Sequence, residues 1–376
     1  MSVFERSGAI RFCNDWEIIF QSQFVARCRA DNARISESFV ASQLKVQIYR
    51  GNAIESEHSV IAAAVDENGE LVFQIGTSEF DAFFPFYIRS SAKPFQVQAL
   101  IESGAIEKFG FTLKDIAICC ASHDGESFHV NLVADILQRI GLDESYLQCG
   151  THPPYHKETR ENMFRKSEKF SALHNNCSGK HTGMLAACLS NGWDLESYLD
   201  IEHPLHQRIL GIIRKYSSTS DIQTSVDGCS VPVFRMPLVG LARLFMALAK
   251  GATNGLETAY SAMTKFPEFV AGTERFDTAA IRAFHGKAVF KVGGEAVEGI
   301  GVRTENGKFY GIGIKILDGN SRARPAAVVA VLQKLNLVSD LQIEKLRHWA
   351  FPDLKNVAGR IVGKISVDWN QLHFLM

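Results

Sequence analysis

Residues 89–96, with the sequence RSSAKPFQ, place a serine and a lysine where they could act together. Ser90 and Lys93 are three positions apart, and side chains at that spacing lie on the same face of a helix. A serine hydroxyl becomes a useful nucleophile when a base takes its proton, and a lysine is such a base when burial or nearby positive charge lowers its pKa. The alternative is a polar helix start with Pro94 in its first turn, and this stretch alone leaves both interpretations open.

A second serine lies in residues 119–129, CCASHDGESFH. An apolar run ends there in Ser122, His123 and Asp124, and a helical pattern follows. Backbone N–H groups at such a turn can bind an oxyanion or a carboxylate. The alternative is that Asp124 or Ser127 simply caps the next helix.

Residues 175–184, NNCSGKHTGM, are unusually rich in groups that bind or react. Cys177 and Lys180 are at i,i+3, so both can face one point, and His181 lies beside them. Capping a helix requires fewer such groups, so this segment predicts a functional role.

A sharp turn at residues 227–232, DGCSVP, offers Asp227 and Cys229. Two thiolates brought together from Cys177 and Cys229 could hold a soft metal such as zinc. Their spacing does not show that they meet, and two unrelated buried cysteines remain the alternative.

Lys291 lies in the predicted strand FKVGGE, residues 290–295. In serine penicillin-recognising enzymes, S-x-x-K is completed by a second serine and by a strand motif K-[ST]-G. The order Ser90, Lys93, Ser122, Lys291 is similar, although a valine follows this lysine in place of serine or threonine. The analogy concerns the fold and not the substrate.

Composition excludes several classes of function. The chain is 46% hydrophobic and 22% charged, which is typical of a globular protein with a full core. A net charge of −1 gives no field that attracts nucleic acid or an anionic membrane, and no stretch has the apolar length of a membrane span. Charges interrupt every apolar run near the N-terminus, and eight cysteines are too sparse for a disulfide scaffold. We therefore expect a cytoplasmic protein that acts on a small molecule.

Hydrophobic periodicity predicts the elements that must position these residues. The predicted strands are 46–51, 58–76 with a hairpin turn at 67–69, 115–123, 288–294 and 309–319. The predicted helices are 93–106, 126–142, one that ends near Gly192, 203–217, 238–251 and 323–337.

This order predicts an α/β (α+β) protein with a mainly antiparallel sheet, flanking helices and a helical lobe. Residues 45–376 are predicted to form a single two-lobed catalytic domain. Residues 1–44 show no sustained period and are predicted to be an extension without a place in that domain.

Four motifs in one order are more specific than any one of them. R-S-x-A-K-P-x-Q, C-A-S-H-x-x-E, N-C-S-G-K-H-x-G-M and D-G-C-x-x-P together resemble the Rhizobium-etli-type L-asparaginases, the asparaginase II family. The resemblance covers roughly residues 45–370. It implies a serine β-lactamase/glutaminase-like fold, a homodimer, and hydrolysis of L-asparagine to L-aspartate and ammonia.

The resemblance also implies roles for individual residues. Its two Ser–Lys pairs fall on Ser90–Lys93 and Ser122–Lys291, and its Zn²⁺ ligands fall on Cys177, Lys180 and Cys229. Arg89, His181 and Asp227 are the expected substrate contacts. Relatives carry a further thiol near this site, whereas residues 273–277 here read TERFD.

The implied mechanism uses both pairs. Lys93 removes the proton of Ser90, which attacks the side-chain amide, and Ser122, tuned by Lys291, passes a proton to the departing ammonia. Zinc would orient the substrate rather than generate the nucleophile. Two rivals remain: another serine amidohydrolase, such as a glutaminase or a β-lactam hydrolase, and a non-catalytic zinc-holding sensor of asparagine.

Overall fold

The computed structural model of the chain describes residues 42–371. The predicted extension, residues 1–44, lies outside the described residues except for its last three, which belong to the first strand. The proposal that it stands apart from the catalytic domain therefore stays a prediction.

The described residues form eleven strands. They are β1 (Ser42–Arg50), β2 (Ala53–Val65), β3 (Leu71–Ile75), β4 (Pro85–Tyr87), β5 (Gln223–Val226), β6 (Pro232–Pro237), β7 (Ala288–Gly293), β8 (Val297–Arg303), β9 (Phe309–Ile316), β10 (Asp353–Lys355) and β11 (Ile361–Gln371). Eight form one sheet in the order β10-β11-β1-β3-β2-β9-β8-β7, and β4, β6 and β5 form a small second sheet. Apart from a single β1–β3 bridge, the pairings described in the large sheet are antiparallel. Strand β7 is thus at an edge of the large sheet.

Helices supply the layers on both faces of the large sheet. They are α1 (Lys93–Gln96), α2 (Gln98–Ile101), α3 (Ala105–Phe109), α4 (Leu113–Cys119), α5 (Ser127–Arg139), α6 (Lys157–Arg165), α7 (Ser178–Asn191), α8 (Pro204–Ser217), α9 (Leu238–Lys250), α10 (Asn254–Lys265), α11 (Pro267–Val270), α12 (Phe276–Ala283), α13 (Arg324–Lys334) and α14 (Asp340–Ala350). No helix among residues 42–371 is long and apolar enough to cross a bilayer.

The core has two parts, one on each side of the large sheet. Successive side chains of a strand point to opposite faces, and β2 shows this directly. Ile61 and Ala63 join the cluster that includes α4, α7 and α9, whereas Val60 and Ala62 join the cluster that includes α12 and α13. Both faces are covered, so the run VIAAAV is apolar at every position.

Helix α9 approaches the sheet closely because β8 and β9 carry glycines there. A Cβ at Gly311 would collide with the backbone carbonyl of Ala242, and a Cβ at Gly299 would collide with the ring of Phe245. These two positions require glycine for lack of space, and not for an unusual φ.

The predicted strand at 115–123 is wrong. Residues 113–119 form helix α4, which Thr112 begins with a capping box: its hydroxyl accepts from the N–H of Asp115, and the carboxylate of Asp115 accepts from the N–H of Thr112. Residues 115–119 are all buried, so no exposed stripe marks the helical period. A helix buried on all sides has the same apolar run as a buried strand.

The helix predicted over 93–106 is confirmed from Lys93 to Ile101, with a small irregularity at Val97, but it does not continue to Ile106. The chain there is a 3-10 turn, Arg89–Ala92, followed by α1 and α2, and Gly104 with a φ of 73° separates them from α3. The hairpin at 67–69 is confirmed as the β2–β3 turn. The helices predicted at 126–142, 203–217 and 238–251 are confirmed as α5, α8 and α9, whereas β8, β10, β11 and α14 were not predicted.

Candidate active site

A cleft of about 370 Å³ opens beside the edge strand β7. Its walls come from segments far apart in sequence, and six of the predicted site residues line it: Arg89, Ser90, Ser122, Cys177, Asp227 and Cys229. The remaining four, Lys93, Lys180, His181 and Lys291, are at most 3% exposed and do not line it. The buried lysines can therefore affect the cleft only through the residues that line it.

Ser122 is the point where two buried lysines meet. Its hydroxyl oxygen is 2.9 Å from Lys291 Nζ and 3.0 Å from Lys93 Nζ. Its backbone N–H donates to the carbonyl of Val270 at 2.9 Å, which fixes the chain just after α4. Ser122 is 5% exposed, so its hydroxyl faces the cleft through a narrow opening.

The charge state of Lys291 suits a base. Complete burial, and then the charge of Lys93, lower its pKa from 10.5 to about 7. Burial disfavours the ammonium form, and a like charge nearby disfavours it further. Near neutral pH a large share of Lys291 is therefore a neutral amine that can accept the proton of Ser122.

Ser90 is placed differently from the expectation. It lines the cleft, but the hydrogen bonds of Lys93 Nζ go to Ser122, the carbonyl of Ala121 and, at 3.2 Å, the sulfur of Cys177. No Ser90–Lys93 hydrogen bond occurs among the bonds of the described residues. The sequence argument assumed one regular helix, whereas a 3-10 turn ends at Ala92 and Lys93 begins the next helix with its side chain buried.

The two predicted metal-binding thiols do meet. Cys177 and Cys229 are close enough to share a hydrogen bond. Cys177 Sγ is also 3.3 Å from Asn176 Oδ1, and Lys180 Nζ is 2.9 Å from Cys229 Sγ. The bond from Cys177 and the charge of Lys180 lower the pKa of Cys229 to about 4, so Cys229 is a thiolate at neutral pH. The same bond, together with burial, raises the pKa of Cys177 to about 12, so Cys177 keeps its proton.

Lys180 itself stays charged. Burial alone would lower its pKa, but the attraction of Cys229 and Cys177 outweighs burial, so the pKa is raised above 10.5. Lys180 and Cys229 are thus a buried ion pair with Cys177 as a third member.

A zinc ion would find a suitable donor set in this trio. Two sulfurs and an amine nitrogen are ligands that zinc accepts, and the fourth position would be left for water or substrate. Lys180 would have to lose its proton to bind, so its present bond to Cys229 would be replaced. Within residues 42–371, no three His, Cys, Asp or Glu side chains are grouped so as to hold a metal. Any site therefore depends on the lysine.

Arg89 and Asp227 form an ion pair in the cleft wall. Arg89 Nε and Nη2 are each 2.8 Å from Asp227 Oδ1. Burial would raise the pKa of Asp227, but Lys180 and Arg89 outweigh it, so the pKa is lowered and the carboxylate is charged. Arg89 has a φ of 50°, which is rare for a residue with a side chain and is typical of functional sites.

His181 does not support the substrate contact predicted for it. It is 0% exposed, its Nδ1 is 2.7 Å from the hydroxyl of Tyr198, and its Nε2 is buried without a hydrogen-bond partner. Burial and the charge of Lys180 lower its pKa well below 6.5. It is a neutral residue behind the thiols.

Sequence reasoning missed a second ion pair at the cleft. Arg275 lines the cleft, and its Nη1 is 3.2 Å from Asp124 Oδ1. Burial raises the pKa of Asp124 to about 6. Asp124 does not cap α5, because Glu126 does so in a capping box with His129.

His152 and Tyr155 also line the cleft and were missed, with ring centroids 4.8 Å apart. The prolines of HPPYH, residues 152–156, were the available signal for an ordered loop there.

Comparison with known families adds an independent finding. The family model described as L-asparaginase II matches residues 46–367, most of the chain. That family has a serine β-lactamase-like fold, and the predicted α+β class with an antiparallel sheet flanked by helices is confirmed. No curated protein matches the chain at a significant level.

Proposed function

Because the chain belongs to the L-asparaginase II family, we propose that it hydrolyses the side-chain amide of L-asparagine to L-aspartate and ammonia. We further propose that the chain is of the Rhizobium-etli type and that the reaction passes through an ester on a serine. The observation that carries the proposal is the hydroxyl of Ser122, within 3.0 Å of two buried lysine amines at the cleft. Family membership supports an asparaginase-type amidohydrolase, and the substrate and mechanism are our inference.

Ser122 is the better nucleophile on this geometry. Neutral Lys291 takes the proton of Ser122 while the oxygen attacks the amide carbon, which gives a tetrahedral oxyanion. The intermediate collapses as Lys291 returns the proton to the leaving nitrogen, so ammonia departs and the aspartyl ester remains. This replaces Ser90 and Lys93 as the attacking pair.

Hydrolysis of the ester uses the same base. Lys291 takes a proton from water, hydroxide adds to the ester carbon, and collapse returns the proton to Ser122 and releases L-aspartate. The amine of Lys93, 3.0 Å from the same oxygen, stabilises the serine oxygen as it becomes negative.

The oxyanion requires a donor other than Ser122. The N–H of Ser122 already donates to Val270. Ser90 lies in the first turn of the Arg89–Ala92 helix, where backbone N–H groups lack intrahelical acceptors. Its amide, with its hydroxyl beside it, is the donor we assign.

The Arg89–Asp227 pair recognises the amino-acid end of the substrate. The guanidinium suits the α-carboxylate and the carboxylate of Asp227 suits the α-ammonium. Because the pair and Ser122 are both anchored to ordered backbone, their separation selects the length of the substrate side chain, and we expect glutamine to be a poorer substrate.

Cys177, Lys180 and Cys229 would hold zinc, which when bound supplies a Lewis acid near the amino-acid end of the cleft. The homodimer that the family resemblance implies and the cytoplasmic location expected from the sequence composition remain proposals. Gel filtration of the purified chain, beside a light-scattering mass, tests the first.

Ammonia release from L-asparagine by the full chain tests the function. We expect Ser122→Ala to lower kcat by at least about a thousand-fold and Ser90→Ala by roughly ten-fold to a hundred-fold. Ser127→Ala, at an exposed serine of α5, is the matched control and should keep wild-type activity.

Two outcomes would contradict the proposal. A near-normal rate of ammonia release by Ser122→Ala would indicate that Ser90 is the nucleophile. No release from the wild type, with zinc added or removed, would reject asparagine as substrate. L-glutamine and a β-lactam would then be tried, and asparagine binding without turnover would indicate the sensor.

A further inference from the structure

A buried ionic cluster lies behind the edge strand β7 and outside the cleft lining. Asp277 of α12, Glu298 of β8 and Arg324 of α13 are 1%, 0% and 6% exposed. Arg324 Nη1 is 2.9 Å from Asp277 Oδ1 and also contacts Glu298 Oε2. A buried charge cluster is a weak source of stability, because its desolvation offsets its attraction, so its position calls for another explanation.

Asp277 is bound to the strand that carries Lys291. Its second oxygen, Oδ2, accepts a hydrogen bond from the backbone N–H of Val292 at 2.8 Å. Among the strands of residues 42–371, β7 pairs with β8 alone, so this N–H points away from the sheet, on the side where an edge strand lacks a partner. The carboxylate of Asp277 therefore accepts the hydrogen bond that a neighbouring strand would otherwise accept, at the residue next to Lys291.

We infer that Asp277, held by Arg324, is the positioning residue of the proposed base: it fixes the strand that presents Lys291 to Ser122 and supplies the negative charge that keeps this amine able to accept a proton. The inference rests on the proposed function, since it takes Lys291 as the base.

The charges around Lys291 support this role. The ionisable groups that act on it or lie near it are Lys93, Arg275, Asp277, Glu298 and the thiol of Cys120. Burial and Lys93 lower the pKa of Lys291, and Asp277 is the strongest group that opposes them. Without a carboxylate there, the amine would bind its proton less well and would be a weaker base near neutral pH.

The two carboxyl groups differ in charge. Burial and the neighbouring Asp277 raise the pKa of Glu298 to about 8, so Glu298 holds a proton at neutral pH. Burial would raise the pKa of Asp277 too, but Arg324 and Lys291 outweigh it and the pKa is lowered. Asp277 therefore carries the charge.

Asp277→Asn in the full chain separates charge from position. The amide oxygen of asparagine can still accept from Val292. The charge of Asp277, which raises the pKa of Glu298, is gone, so Glu298 can lose its proton and pair with Arg324, and no buried charge is left alone. We expect the titration midpoint of Lys291 to fall by roughly half a unit to one unit. It is followed by NMR on isotope-labelled lysine and assigned by the signal lost in Lys291→Met. The acid limb of kcat/KM against pH should move to lower pH by the same amount.

Three variants serve as controls. Asp277→Glu keeps the charge on a longer arm, so the midpoint should stay while kcat falls about ten-fold. Glu298→Gln replaces a protonated acid by a neutral isostere and should leave the midpoint almost unchanged. Asp135→Asn removes an exposed Asp–Arg pair on α5 and should change neither.

An unchanged midpoint in Asp277→Asn overturns the charge role, and wild-type kcat in Asp277→Ala overturns the positioning role. If Asp277→Asn fails to fold, a midpoint that moves in Asp277→Glu overturns the charge role instead. A wild type without amidase activity rejects the proposed function, whereas the NMR midpoint still decides whether Asp277 sets the proton affinity of Lys291.

Discussion

Two buried lysines lie behind the same cleft, and their pKa values shift in opposite directions. Lys291 and Lys180 are 0% and 3% exposed, and each approaches an atom that could be a nucleophile, Ser122 Oγ at 2.9 Å and Cys229 Sγ at 2.9 Å. The pKa of Lys291 is lowered to about 7, whereas the pKa of Lys180 is raised above 10.5. Both lysines are almost completely buried, so the depth of burial does not decide whether a lysine is a base or a counter-ion.

The partner decides it. A serine hydroxyl has no acidity near neutral pH and leaves Lys291 with a like charge, Lys93, as its nearest strong influence. A thiol is acidic enough to give up its proton, and the resulting thiolate keeps Lys180 charged. Lys291 therefore acts as a base and Lys180 as a counter-ion, although both are lysines.

Lys291→Met should have the largest effect of the substitutions that test this contrast between Lys291 and Lys180. We expect kcat for asparagine to fall by about a hundred-fold to ten-thousand-fold, because the variant has no general base for Ser122. The acid limb near pH 7 should disappear from the remaining activity, since the limb reports the titration of Lys291. Steady-state ammonia release across pH measures both effects.

A fall in rate with an unaltered acid limb would show that another group supplies the limb. The matched control is Lys315→Met, at a mostly buried lysine of β9 that donates to the carbonyls of Glu295 and Ile316 and does not line the cleft. It should keep the wild-type pH profile.

Lys180→Met should sharpen the contrast from the other side. The loss should appear mainly in KM, by roughly ten-fold, because Lys180 holds the wall beside Asp227 and does not contact Ser122. The pKa of Cys229 should rise, since the ammonium that favours its thiolate is gone. Thiolate absorbance in the ultraviolet, read against Cys229→Ser, follows that change.

If Lys180→Met lowers kcat as much as Lys291→Met does, the two clusters are not separate in function. Zinc binding by the same variants is then titrated as a second measurement. Loss of one ligand should weaken zinc binding before it changes the pH dependence of activity.

The sequence predicted the parts of the site better than their connections. The motifs and their order identified Ser122, Lys291, Cys177 and Cys229, and the density of polar and reactive groups at the start of a helix supported Cys177 in particular. It could not show that Lys93 turns toward Ser122. That contact depends on a change from 3-10 to α-helix at one residue, and propensity does not resolve such a change.

The sequence pattern could not predict ion pairs between residues that are far apart in the chain. Arg324 and Asp277 are 47 positions apart, and Arg89 and Asp227 are 138 apart. Each residue by itself is an ordinary charged residue, and only the fold makes it a partner. The fold was easier to predict, because β2, β3 and α5 show complete periods, whereas α4 is buried at every position from Asp115 to Cys119 and shows none.

The smallest effect concerns stability, and it tests the comparison without any substrate. A base with a lowered pKa binds its proton less well in the folded than in the unfolded chain. Between about pH 7 and 10.5 the unfolded chain therefore holds a proton on Lys291 that the folded chain lacks, and stability from this group rises with pH through that window. Below pH 7 the folded chain must keep a buried ammonium, which is unfavourable.

Lys291→Met removes that penalty. We expect the variant to be more stable than the wild type by a few kcal/mol below pH 7, and the difference to shrink as pH rises toward 10.5. Lys180→Met should show the reverse, being less stable than the wild type near neutral pH, because it leaves the Cys229 thiolate buried without its cation. Urea unfolding of both variants at several pH values measures the differences. Equal destabilisation by the two substitutions would mean that Lys291 is held as a counter-ion like Lys180, and the assignment of Lys291 as the base would then lose its physical ground.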